Sequence, residues 1–489
     1  MESWLLITNG TVVDGAANPP EPETDVLVRS NRIHSVERGI KEEHVRESIM
    51  ARGDTLQVLD ASRKTVMPGL IDAHCHLSFG HGQSQEEMDL YTGVELRTLR
   101  TAASAKSVLR AGVTSMSQPG SSYYIGVGVR EAIKEGLVEG PRVFTAGRQM
   151  STSNGIGDYY PDTVGVPDGS IGCLANTPDE MKREVRVQIK NGVDFIKMAD
   201  SPFGEFQAFT GDEMKMVTEL TQQMKRRVTI HARGNDETRA AVQAGVDWIM
   251  HSNIMDEQTA GEFGESGILL VPVLTLLANL SDFGEYVGVP PGLRDGCAGM
   301  MEASGESYQL ARAAGVKFGV GSESGFAITP CGEWHARELQ LLVEYAGLST
   351  LEAIQAATQN VAMTVGLDGE LGVIAEGMLA DIIVVDGDPV RDVRVLQEKE
   401  NIVAVIKDGD LVHFEDEVEL RPFQPAQIYG TGGLLTFETV YGDVEHRAGG
   451  LDPLPWNGDD GKSLAGDIKQ REKAAGTGVY AMGQSDASR

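Results

Sequence analysis

Two histidines one residue apart, His74 and His76 in Asp72-Ala73-His74-Cys75-His76, close the apolar run Val66-Met67-Pro68-Gly69-Leu70-Ile71. At the end of a strand, residues i and i+2 face the same side of the sheet. Both imidazoles can then reach one metal ion, and neutral imidazole suits zinc, cobalt and related ions. More groups able to bind or serve a cation follow, each at the end of a predicted strand: Lys197, His231, His251 and Glu323. Each has a plain structural reading. A strand-end histidine can be a hydrogen-bonded core residue, Lys197 can snorkel to the surface, and Glu323 can be a loop carboxylate. But four of the ten histidines sit at such ends, and the joint pattern points to a metal centre.

These six side chains meet only if their strands lie side by side. Short apolar segments following a glycine or an arginine alternate with helical stretches. They are Val66–Ile71, 112–115, 142–145, 192–197, 227–231, 245–251, 267–271 and 315–320. Helix starts between them carry capping-box spacing at Thr177-x-x-Glu180, Thr210-x-x-Glu213 and Ser349-x-x-Glu352. Eight strands alternating with helices predict an α/β fold of the (β/α)8, TIM-barrel type, whose chemistry sits at the C-terminal ends of the strands. A doubly wound open sheet is the alternative. No G-x-G-x-x-G follows the first strand, so a dinucleotide site has little support.

The flanks read differently. Leu5 to Thr8 before Asn9-Gly10, and Asp25 to Val28 and Ile33 to Val36 around Ser30-Asn31, predict short strands and hairpin turns. The same texture returns at Asp381 to Val385 and Ile402 to Ile406. Residues 1–65 and 368–420 are therefore expected to form one small β-sandwich domain built from both ends of the chain. Residues 66–367 form the barrel, and 421–489 an irregular extension that wraps the core or a neighbouring subunit.

The 489-residue chain is 41% hydrophobic and carries a formal charge of −30. That acidity argues against nucleic acid or an anionic membrane as partner, since both are polyanions. Cys75, Cys173, Cys297 and Cys331 show no C-x-x-C spacing. With no signal-peptide pattern at the start, the expected setting is the reducing cytoplasm. No run approaches the roughly 20 apolar residues that span a bilayer.

With His-x-His on strand one, Lys on four, His on five and six, and an acid on eight, the chain resembles the amidohydrolase superfamily from about residue 5 to 415. The stretches 140–148 and 338–343 resemble its imidazolonepropionase-like and dipeptidase branch, and the texture is similar to the phenylurea and molinate (thiocarbamate) hydrolases. The resemblance implies that His74 and His76 bind the more buried metal. Lys197, as a carbamate, bridges two ions, His231 and His251 hold the second, and the strand-eight acid handles the proton of the attacking water. It further implies one or two divalent ions per chain, zinc first and cobalt or manganese as alternatives, and a homo-oligomer. Three departures stand out. Glu323 replaces the family's Asp, Cys331 stands where dipeptidase relatives have His, and 151–155 lack a histidine often seen there.

The expected reaction is metal-dependent hydrolysis of an amide-type C–N bond of a small molecule by activated water. Glu323 takes the proton, and His251 helps to stabilise the oxyanion. A urea, carbamate, thiocarbamate or anilide is the first substrate class; a dipeptide or cyclic amide is the alternative. Tyr123, Tyr124, Arg148, Phe203, Arg233, Phe326, Trp334 and His335 lie just beyond strand ends and are candidate pocket residues. Of these, Arg233 is the one suited to a substrate carboxylate.

Overall fold

The computed structural model describes residues 2–50, 53–414, 435–437 and 440. The predicted extension over 421–489 lies outside the described residues apart from 435–437 and Val440. Among the described residues no helix is long and apolar enough to cross a membrane.

Leu70–Asp72, Val113–Gln118 and Arg142–Thr145 form a parallel three-stranded sheet. A second parallel sheet runs in the order Gly172–Leu174, Gln149–Ser151, Phe195–Ala199, Arg227–Ala232, Trp248–His251, Leu269–Val271 and Lys317–Phe318. Hydrogen bonds link the two sheets at both margins. Asp194 N–H donates to the Thr145 carbonyl at 2.8 Å, and Ala73 N–H to that of Val320 at 2.9 Å. With helices such as Val94–Arg110, Gly211–Gln223 and Pro291–Ala313 between strands, the architecture is TIM-barrel-like α/β. Each of the eight predicted segments overlaps a strand. The helix starts hold too: Thr210 and Ser349 make complete capping boxes, and the Thr177 hydroxyl accepts the Glu180 N–H. Ile71, Phe195, Trp248, Met250, Leu269 and Val271 share one buried cluster. Each such side chain contributes about 1.5–3 kcal/mol when fully buried, so the strand ends stand on a rigid base.

Both ends of the chain enter one eight-stranded sheet. Its order is Asp410–Leu411, Ile402–Lys407, Ile382–Val385, Thr65–Pro68, Ser3–Val12, Glu21–Arg29 and Arg32–Glu37, with Thr55–Asp60 also paired to Ser3–Val12. The apolar run at 66–71 is divided between sheets. Thr65–Pro68 pairs with Ile382–Val385, whereas Leu70–Asp72 joins the parallel strands. Gly69 lies between them, where a Cβ would stand 2.3 Å from the Thr114 hydroxyl. One expectation is corrected. Asn9-Gly10 does not turn a hairpin; Ser3–Val12 runs through it with a register shift against Glu21–Arg29. Asn9 adopts φ 60° and donates its N–H to the Asp25 carboxylate at 2.8 Å, so the extra residue is taken up as a bulge.

Arg142 ties the two parts together. It begins a parallel strand and pairs with Asp381, whose side chain is fully buried beside the mixed sheet, and with Asp408. Removing one partner of a buried pair strands the other charge, at about 3–5 kcal/mol. Arg142→Ala should lose roughly that much stability in a denaturant titration; an unchanged midpoint would show that the pair does not hold the parts together.

Candidate metal centre and active site

His74 and His76 follow Leu70–Asp72, and their Nε2 atoms stand 2.9 Å apart. Two nitrogens each bonded to zinc at about 2.0–2.1 Å lie roughly 3 Å from one another, so this is the spacing of two ligands on one ion. Glu323 Oε1 is 3.3 Å from the His74 Nε2 and 3.5 Å from that of His76. Its other oxygen is 4.0 Å from the His251 Nε2. The His231 ring packs against His251 with centroids 4.3 Å apart, and its Nε2 faces the Ser201 carbonyl at 3.1 Å. Lys197 is buried under this group, its Nζ 2.6 Å from the Met250 sulfur. Four of the six predicted residues, His74, His76, His251 and Glu323, thus converge. His231 and Lys197 lie beside them on the next strands.

Strained backbone aims two of these side chains. His251 and Glu323 adopt φ 79° and φ 56°, left-handed values that cost a non-glycine residue about 1–3 kcal/mol. The neighbours hold them there. Tyr308 donates its hydroxyl to the His251 carbonyl at 2.8 Å, and the Glu323 N–H donates to the His74 carbonyl at 2.8 Å.

Burial sets the charge states. It pushes His74 down to about 4 and Lys197 down to about 7. His231 and His251 are also held well below the usual imidazole range by burial, and the nearby Arg233 charge adds to the effect. Burial alone would raise Glu323, but the facing His74, His76 and His251 outweigh it and hold the carboxyl well below its usual range. At neutral pH His74, His231 and His251 are thus neutral imidazoles and Glu323 an ionised carboxylate, the form in which these groups bind metal.

The bonding of the site fits a divalent cation. His74 Nδ1, both ring nitrogens of His251 and Glu323 Oε2 are buried without a hydrogen-bond partner. Buried polar atoms are otherwise almost always paired. The ligand atoms of His74, His251 and Glu323 all lie within 4.8 Å of one another.

The side chains that brace this centre were only partly legible. One Asp72 oxygen accepts the N–H groups of His74 (2.9 Å) and Ser322 (3.1 Å). The other accepts the Ser322 hydroxyl and the His335 Nδ1–H, the latter at 2.6 Å. One carboxylate so clamps the first strand end to the eighth. Asp72 opens the His-x-His motif, which was the available signal; its partners some 250 residues away gave none. Of the pocket candidates, Phe326 stands edge-on to Phe79, which stacks on His76 at 4.1 Å. Trp334 is instead fully buried in an apolar cluster against which Phe326 also packs, and Phe203 is exposed. Arg233 is buried, its Nη1 bonded to Asn253 Oδ1 at 2.7 Å.

Residues 65–412 match the amidohydrolase family model. The chain is similar to ochratoxinase of Aspergillus niger, with 31% identity over 376 residues, 71% of this chain and 75% of that protein. It is also similar to the structure of a prolidase complexed with N-methylphosphonate-L-proline, at TM-score 0.73 and 27% identity, covering 84% of this chain and all of that one. Molinate hydrolase and phenylurea hydrolase B, at 20% and 21% identity with TM-scores of 0.68 and 0.65, share the fold. The chain belongs to the amidohydrolase family and is a hydrolytic enzyme acting on carbon–nitrogen bonds.

Proposed function

We propose that this enzyme hydrolyses an amide bond in a small molecule that carries a free carboxylate, such as an N-acyl amino acid or a dipeptide, on a closed (β/α)8 barrel. The observation that carries this reading is Arg233. It lies two residues after His231, its charge is felt by Lys197, His231 and His251, and its Nε is buried without a partner. Among the described residues no carboxylate pairs with it. An unpaired buried guanidinium is costly. A substrate carboxylate would complete it with charge-assisted hydrogen bonds, about twice as strong as neutral ones. The likeness to a prolidase held with a proline derivative, itself a carboxylate, supports the same reading.

His74, His76, His231, His251 and Glu323 would hold the metal, joined by Lys197 once it carries CO2 as a carbamate. A divalent ion bound there supplies Lewis acidity and makes a water acidic enough to attack near neutral pH. The chain's own residues do the rest. Arg233 fixes the carboxylate end and so the register of the amide. Glu323 accepts a proton and returns it to the leaving nitrogen, which departs poorly until protonated. Phe79 and Phe326 keep bulk water from one side of His76.

That apolar pair favours a second reading, a neutral urea, thiocarbamate or anilide as substrate. The deciding test is amine release from N-acyl amino acids, dipeptides, an N-aryl urea, a thiocarbamate and a neutral anilide, each with and without a chelator. Chelator-sensitive release confined to the carboxylated compounds supports the first reading; release confined to the neutral ones replaces it with the second.

The carbamate has its own pH signature. Only the neutral amine reacts with CO2, and burial places Lys197 at about 7. Adduct formation should therefore increase as pH rises through that value and fall away below it. Carbon NMR with labelled bicarbonate reads this directly; metal-loaded enzyme showing no adduct on either side of pH 7 would leave Lys197 a plain buried amine.

A further inference from the structure

The family match ends at residue 412, yet a short piece of chain beyond it is built into the structure. Leu435 and Val440 are buried in an apolar cluster with Val287, Val289, Ile328 and Trp334. Among the described residues, hydrogen bonds fix the piece to the loop that follows the eighth strand. Leu435 N–H donates to the Ala327 carbonyl at 3.0 Å. The Trp334 indole N–H donates to the Leu435 carbonyl at 2.6 Å, and the Phe437 N–H donates to the Glu333 carboxylate at 3.0 Å. Glu333 is itself anchored by Lys399 at 2.6 Å.

That loop, residues 326–335, reaches the reaction centre from both of its ends. At one end Phe326 neighbours Ala327 and stands 4.8 Å from the Phe79 ring, which stacks on His76. The Thr329 hydroxyl bonds the Glu323 carbonyl at 2.8 Å. At the other end His335 bonds Asp72, which holds the backbone of His74 and of Ser322. The segment therefore touches the loop at 327, 333 and 334, between the pocket wall and the Asp72 brace. Without it, the Trp334 indole N–H would have no hydrogen-bond acceptor among the described residues and the apolar cluster would be uncovered, and both changes loosen the loop.

The geometry points to residues 435–437 and Val440 as a strap that positions the loop 326–335, and through it Phe326 and His335, for substrate binding. Leu435, Phe437 and Trp334 are positioning residues; none touches the reacting atoms. The effect is on the placement of the acyl side of the substrate, so KM rather than kcat should respond.

The test uses the full-length, metal-loaded enzyme with Leu435→Asp, Phe437→Pro, which deletes one strap hydrogen bond, and Leu435→Met as the conservative control. Hydrogen exchange is the first readout. In the first two variants, amides of 326–335 should exchange about ten times faster or more, while 227–232 keep the native rate, as expected for local rather than global opening. Leu435→Met should restore protection. Kinetics is the second readout, and it rests on the function proposed above. On a hydrolysed N-acyl amino acid, KM should rise at least about fivefold with kcat within about twofold, the split that marks lost binding rather than lost chemistry. Unchanged exchange in 326–335 overturns the strap. So does faster exchange with KM unchanged, or a fall in kcat with KM constant. Should no substrate of the panel be hydrolysed, the function is wrong and the exchange data alone decide for or against the strap.

Discussion

Glu323→Gln is expected to lower kcat by about 10²–10⁴-fold, the range contributed by a positioned general acid–base. The amide keeps the size of the side chain but cannot accept a proton. The sequence resemblance implies an aspartate at this place, and here a glutamate carboxylate reaches the strand-one histidines. The backbone at Glu323 is left-handed at φ 56°, and Oε1 lies within 3.3–3.5 Å of the Nε2 atoms of both His74 and His76. The carboxylate is held well below its usual range by those imidazoles and is ionised across the neutral range. Steady-state kinetics with metal content measured in parallel separates the two roles of Glu323. Loss of kcat at full metal content marks proton transfer, and loss of both marks a ligand. Activity within tenfold of the native enzyme would remove Glu323 from the mechanism.

The second large effect concerns Arg233. Truncating one partner of a buried, hydrogen-bonded charge pair costs about 2–5 kcal/mol. Arg233→Met should thus cost a carboxylated substrate at least about 30-fold in kcat/KM, since each 1.4 kcal/mol is tenfold. Any slow turnover of a neutral anilide of similar size should not fall. Arg233→Met also takes a positive charge away from His231 and His251, which relieves part of what depresses them. Metal affinity should not fall. Equal losses for charged and neutral substrates would show that Arg233 braces the site through Asn253 instead of binding substrate.

The sequence carried most of the strand ends because the parallel strands are continuous apolar runs that stop at a polar residue. The end residue is then conspicuous, as at Ile230-His231 and Met250-His251. What escaped depends on short elements or distant partners. Gln149–Ser151 and Gly172–Leu174 are three residues each, too short to show a period. Asn9-Gly10 has hairpin chemistry, but the Asp25 carboxylate accepts the Asn9 N–H and the strand continues. The contact of Lys197 with Met250 and the grip of Asp72 on Ser322 and His335 join residues far apart in the chain. Only the folded structure states them. The placement of Trp334 in an apolar cluster with Val287, Val289 and Ile328 rests in part on Leu435 and Val440, which lie beyond the family match.

The mixed sheet sets an order of events during synthesis. Thr65–Pro68 leaves the ribosome early, but its antiparallel partner Ile382–Val385, and Ile402–Lys407 beyond it, emerge only after every strand of the two parallel sheets. Until then the nascent chain presents an apolar strand with one unpaired edge, a template for pairing with other chains. A fragment ending near residue 380 would keep that edge permanently and lose the Asp381 partner of Arg142. Such a fragment should aggregate as it is made. Productive expression then depends on how quickly the last strands follow, which makes the codons and pauses between about 380 and 411 a place to tune the yield of soluble enzyme.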